Sequence, residues 1–126
     1  MTIADTDVLI DFLSASEPAT GYVRAELQNG NLATTVITRF ELLSGARSTR
    51  AMRAIGELLE SIRTLELNST AADRAAAVRR SLERKGSTIG MGDSLIAGIV
   101  LAVSGVLLTR NRRHFDRVDG LKLASL

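Results

Sequence analysis

The sequence predicts an α/β domain around a mainly parallel sheet, because short β-branched or aliphatic stretches alternate with helical ones along the whole chain. Two further observations support that expectation. Apolar residues make up 45% of the 126 positions and proline occurs once, which suits a packed core rather than disorder. No internal repeat, low-complexity run or dividing linker is visible, so residues 1–126 are expected to form a single domain.

Taken in order, Ile3 and Ala4 start a very short strand that leaves Asp5 at its carboxyl end. "DVLIDFLSA" follows as a helix with apolar faces from Val8, Leu9, Ile10 and Leu13. "EPATGYVRAELQNG" is a second helix, with Pro18 in its first turn and Asn29-Gly30 closing it. "NLATTVI" reads as a strand by its β-branched residues. "TRFELLSGA" and "TRAMRAIGELLESI" return to helical spacing, and "RTLELN" suits a short strand. "STAADRAAAVRRSLERKG" is a strong helix stopped by Gly86. "STIGMG" is a glycine-broken loop, "DSLIAGIVLAVSG" a buried helix, "VLLT" a strand and "LKLASL" a terminal strand or tail.

Composition narrows the chemistry. There is no cysteine, so disulfides and thiolate metal sites are excluded. A single histidine, His114, rules out a His-rich zinc site and a two-histidine ribonuclease mechanism. Oxygen ligands remain. The N-terminal residues lack the basic region of a secretory signal. The longest apolar run, Ser94 to Leu108, falls short of the roughly 20 residues of a membrane span. A cytoplasmic protein without a membrane partner is therefore expected. Net charge is only +2, but residues 109–117, "TRNRRHFDR", hold four arginines. Such a cluster reads as a solvated loop unless an active site lies beside it, in which case it attracts a phosphate backbone.

Three acids fall at element junctions: Asp5 after the first strand, Glu41 early in a helix, and Asp93 at a helix start. Each has a bland explanation. Asp93 suits an N-cap, Thr38-Arg39-Phe40-Glu41 fits a T-x-x-E capping box, and Asp7 suits the cap of the first helix. Together they suggest more. In a parallel sheet the ligand crevice lies outside the carboxyl ends of the strands, where Asp5 and the segment after "LLT" both sit. Carboxylates converging there without basic partners repel one another, and all-oxygen sets of this kind favour Mg²⁺ or Mn²⁺ over zinc.

"ADTDVLIDFL", "TRFELLSGA", "GMGDSLIAGIVL" and "LLTRNRRHFDRV" resemble, in this order, the successive motifs of the PIN-domain ribonucleases, above all the VapC toxins of toxin–antitoxin pairs. The resemblance covers essentially the whole chain and implies a three-layer α/β/α domain. It implies Asp5, Glu41 and Asp93 as the acidic triad that binds Mg²⁺ or Mn²⁺ and supports RNA hydrolysis. It places Asn111 where many relatives carry a fourth acid, with Asp116 the nearest carboxylate able to share that role. Thr6 and Thr109 match small hydroxyl positions that orient the site and meet substrate. Arg110, Arg112, Arg113 and Arg117 become candidates for gripping RNA. Asp7 departs from the pattern, since asparagine is frequent there, and is expected to cap the helix. Implied partners are an RNA substrate, a cognate VapB-type antitoxin and a second copy of the chain. Apolar residues of the first two helices are expected to leave a groove for the antitoxin's amphipathic segment.

Two alternatives stand beside this reading. One is a catalytically inactive PIN-like module that binds RNA or protein. The other follows from a resemblance of Asp5-x-Asp7 to the start of haloacid-dehalogenase-like phosphatases. That reading lacks a threonine two residues beyond Asp7, where Leu9 stands, and a lysine in a fitting loop.

Overall fold

The structure is a computed structural model that describes residues 1–126. It contains β1 (Thr2–Ala4), α1 (Thr6–Leu13), α2 (Ala19–Gln28), β2 (Leu32–Thr35), α3 (Val36–Gly45) and α4 (Thr49–Ser61). These are followed by β3 (Arg63–Leu65), α5 (Ser69–Lys85), α6 (Met91–Ala102), β4 (Val106–Leu108), α7 (Arg112–Phe115) and β5 (Lys122–Leu123). The five strands form one sheet in the order β3-β2-β1-β4-β5, and every pairing is parallel. Ile3 pairs with Ala33 on one side and Leu107 on the other.

Strand alternation divides the core into two halves. Ile3 and Leu107 face α5 and α6, joining Val78, Leu82, Ile96, Val100 and Phe115. Ala4 and Leu108 face the opposite layer, joining Val8, Leu9, Val23, Leu58 and Leu59. The sheet is thus sandwiched between helices, a three-layer α/β/α architecture. Gly98 lets α5 and α6 touch: a Cβ there would lie 2.5 Å from the Ala71 carbonyl oxygen and 2.6 Å from the Ala75 Cβ. Gly86 ends α5 in the left-handed conformation, at φ 67°, which glycine adopts without strain.

Several local expectations are corrected. The second strand ends at Thr35, because its hydroxyl accepts a hydrogen bond from the Thr38 amide and starts α3 there. Val36 and Ile37 are therefore helical, and Thr38 is not the cap. Gly90 is the N-cap of α6, so Met91 and Gly92 are helical and Asp93 lies inside the first turn. Asp5, not Asp7, caps α1, its side chain accepting from the Thr6 amide. The arginine-rich segment contains the short helix α7 rather than loop alone. In the first two helices most apolar residues join the domain's own core, and Ile10 is the large apolar residue left exposed there. No helix is long and apolar enough to cross a membrane.

Candidate active site

The strand order places the site. From β1 the chain builds outward to β2 and β3, then returns to the other side with β4 and β5. The switch in direction therefore lies between β1 and β4, where side chains at the strands' carboxyl ends border a crevice. Asp5 follows β1 and Thr109 follows β4.

Asp5 is buried, with 5% of its surface exposed. Its Oδ1 accepts from the Thr6 amide at 2.8 Å, and its Oδ2 accepts from the Thr109 hydroxyl at 2.7 Å. Thr109 is fully buried and in turn accepts from the Asn111 amide at 3.0 Å. Burial pushes the Asp5 carboxyl from 3.8 up to about 6. The Thr109 hydrogen bond opposes that rise, and the charges of Asp7 and Asp93 add to it.

Glu41 reaches the same space from α3. Its Oε1 accepts from the Thr6 hydroxyl at 2.6 Å, and that hydroxyl lies 3.0 Å from the buried Thr38 hydroxyl. Its other oxygen hangs over α6, 3.7 Å from where a Cβ on Gly92 would stand. Asp93, on the first turn of α6, has its Oδ2 3.4 Å from both the Asn111 side-chain amide and His114 Nδ1. Asn111 and His114 are themselves 2.8 Å apart. The helix N-terminus beneath Asp93 favours its negative charge.

Asp5, Glu41 and Asp93 thus come from three elements to one end of the sheet, and no lysine or arginine pairs with any of them. Their oxygens, with the Asn111 amide oxygen, form a hard donor set suited to Mg²⁺ or Mn²⁺. A cation would also relieve the burial and like-charge effects that raise the Asp5 pKa. The side chains stand apart, however. No three acids or imidazoles converge on one point, each being turned to a hydroxyl, amide or ring nitrogen.

The remaining sequence candidates take different positions. Asp7 accepts from the Arg110 amide at 3.2 Å and so fastens α1 to the segment after β4. Burial raises its pKa, with the Arg110 amide and charge opposing. Arg110 pairs with Asp11 at 2.7 Å, an interaction absent from the sequence reading. Arg112 donates to the Ala124 carbonyl and Arg117 to the Ser87 carbonyl. Arg113 is exposed and free of such ties. Asp116 ends α7 and makes no hydrogen bond to the acids. From the sequence Thr38 was expected only as a helix cap, and His114 had no place in the site. Thr38 stands one helical turn before Glu41, and His114 three residues after Asn111, spacings that put each pair on one helix face.

A family model described as the PIN domain matches residues 2–121. The chain is 34% identical to ribonuclease VapC10 of Mycobacterium tuberculosis, a match covering 97% of this chain and 91% of that protein. It is 30% identical to the tRNA(fMet)-specific endonuclease VapC of Shigella flexneri, over 94% of this chain and 92% of that protein. Among solved structures, DNA-bound VapBC from Salmonella typhimurium is similar with a TM-score of 0.88 at 27% identity, covering 98% of this chain and 96% of that one.

Proposed function

The chain belongs to the PIN-domain family, and from that premise we propose that it is a single-domain VapC-type toxin that hydrolyses RNA phosphodiester bonds with a divalent cation. The observation that carries this reading is the buried Asp5 carboxyl at the sheet's switch point, with Glu41 and Asp93 at the same end of the sheet and no lysine or arginine paired with any of the three. Mg²⁺ or Mn²⁺ would be held by Asp5, Glu41 and Asp93, with Asn111 as the fourth oxygen donor. When bound, the cation would lower the pKa of a water so that it ionises to a hydroxide nucleophile, and would neutralise the charge that builds on the phosphoryl oxygens.

This chain's own residues do the positioning. Thr109 holds one oxygen of Asp5 and the Thr6 amide the other. Thr6 ties Glu41 to the start of α1, and Asn111 and His114 steady Asp93. Of the arginines, Arg113 is the one free to meet a substrate phosphate beside the acids. The phosphatase alternative is displaced by the family match, and Leu9, standing where that reading needs threonine, is fully buried in the core. VapBC complexes among the structural relatives support a VapB-type antitoxin as partner, and the VapC resemblance extends the proposal to a homodimer.

The test is cleavage of total RNA by the purified protein with Mg²⁺ or Mn²⁺ and with chelator, followed by sequencing of the new 5′ ends. Discrete cuts that need the metal are expected. Asp93→Asn should lower the rate at least about 100-fold, the upper end of what loss of a mere second-shell partner costs. Cleavage at the parent rate by a folded Asp93→Asn protein would remove the triad from the mechanism.

A further inference from the structure

A groove of about 570 Å³ runs between α5 and the segment that leads from α7 into β5. It reaches Gly105 and Lys122, which stand at the starts of β4 and β5, whereas the acids lie at the strands' other ends. Arg74 and Arg84 from α5, Arg117 after α7 and Lys122 on β5 line it, with Ser81 and Ser104 as hydroxyl donors. Arg74, Arg84 and Lys122 are exposed and pair with no carboxylate. The one acid on the lining, Asp119, is held by Lys85 at 3.1 Å. An uncompensated row of cations therefore faces a groove that contains no aromatic residue.

We infer that this groove docks the phosphate backbone of the RNA beyond the scissile bond, as a second contact remote from the acids and indifferent to base sequence. The form of the charge favours a chain over a single anion. Ten residues separate Arg74 from Arg84, about 15 Å of helix, so the positive charge is laid out in a line rather than focused on one point. Guanidinium and ammonium groups with hydroxyls recognise phosphate oxygens, and without aromatic platforms the bases go unread. Continuity points the same way. The segment that carries Asn111 and His114 beside Asp93 also carries Arg117, so a strand leaving the acids along it arrives at the groove.

The inference rests on the RNA-cleaving reading, and its test separates the two. Binding of a long fluorescent single-stranded RNA is followed by anisotropy in chelator, across salt concentrations, beside an oligonucleotide too short to reach from the acids to the groove. The triple variant Arg74→Ala, Arg84→Ala, Lys122→Ala should bind long RNA at least tenfold more weakly. Its slope of log affinity against log salt should fall by about 2, from roughly 0.7 per lost single-strand phosphate contact. Affinity for the short oligonucleotide should not change. A variant with lysine at positions 74 and 84 should bind long RNA as the parent does, which separates charge from any effect on folding. An unchanged salt slope, an equal loss for both RNAs, or displacement of both by millimolar inorganic phosphate would overturn the inference. A protein that binds long RNA through the groove but cuts none keeps the groove and loses the nuclease reading. One that cuts RNA with an unchanged slope keeps the nuclease and loses the groove.

Discussion

Asp5 carries a buried carboxyl whose ionisation works against stability. Its folded pKa of about 6 lies above its ordinary 3.8, so between those values the folded protein binds more proton than the unfolded chain. The Asp5 contribution is therefore most favourable below 3.8 and is lost as pH rises through 6, by an amount on the order of 3 kcal/mol. Asparagine at this position keeps the helix cap through its Oδ1 and turns its Nδ2 to donate to the Thr109 hydroxyl, without the buried charge. In chelator at neutral pH, Asp5→Asn should melt several degrees above the parent, and the gap should shrink towards pH 4. Equal melting temperatures at both pH values would show that burial is not straining this carboxylate. Asp5 was legible as a carboxylate at a strand's carboxyl end, where a parallel sheet borders its crevice. Glu41, midway along α3, and Asp93, in the first turn of α6, were legible through their motifs. The resemblance named Thr6 and Thr109 but not the acid that each one holds. Thr109 and Asp5 bond across 104 positions of sequence, and Asp7 meets the Arg110 amide across 103. Such contacts follow from strand order, which no local pattern encodes.

At the scale of elements, helix interiors were plain and helix starts were not. The capping-box pattern at Thr38 and Glu41 is present, yet the Thr35 hydroxyl three residues earlier takes the Thr38 amide, and Glu41 is released to bond Thr6. Competition between two threonines a turn apart is decided by where β2 must end, a tertiary matter. Gly90 and Gly92 suggested a loop, but the chain turns helical between them, which carries Asp93 into the first turn of α6. Gly98 was unremarkable in sequence and proves to be where α6 lies against the Ala71 and Ala75 backbone of α5 with no room for a side chain. Gly98→Ala would gain up to about 1 kcal/mol of helix propensity, against an overpacking cost of about 1–3 kcal/mol where the new methyl meets Ala71 and Ala75 backbone. A lower denaturation midpoint with an unchanged urea m-value is expected, and a more stable variant would show that the two helices have room to separate.

For the whole molecule, alternation of strands and helices foretold a parallel sheet, with "RTLELN" giving the β3 edge and "LKLASL" left open between strand and tail. The lone pair Lys122–Leu123 became β5 through pairing with β4, not through any pattern of its own. The same fold gathers the acids at one end and, on the inference above, the backbone-binding cations towards the other. Control by a partner belongs to this scale. Co-expression with a cognate VapB-type antitoxin should yield a stoichiometric complex that cuts no RNA, and separate elution with undiminished cleavage would contradict control by that partner. The claim on which everything turns is that Asp5, Glu41 and Asp93 together hold a catalytic cation, and Mn²⁺ binding followed by electron paramagnetic resonance tests it most directly. Glu41 is exposed and glutamine can keep its bond to Thr6, so Glu41→Gln changes the charge and leaves the fold intact. Saturable Mn²⁺ binding by the parent, weakened about 10–100-fold or more in Glu41→Gln, is the predicted result; identical isotherms for the two proteins would contradict it.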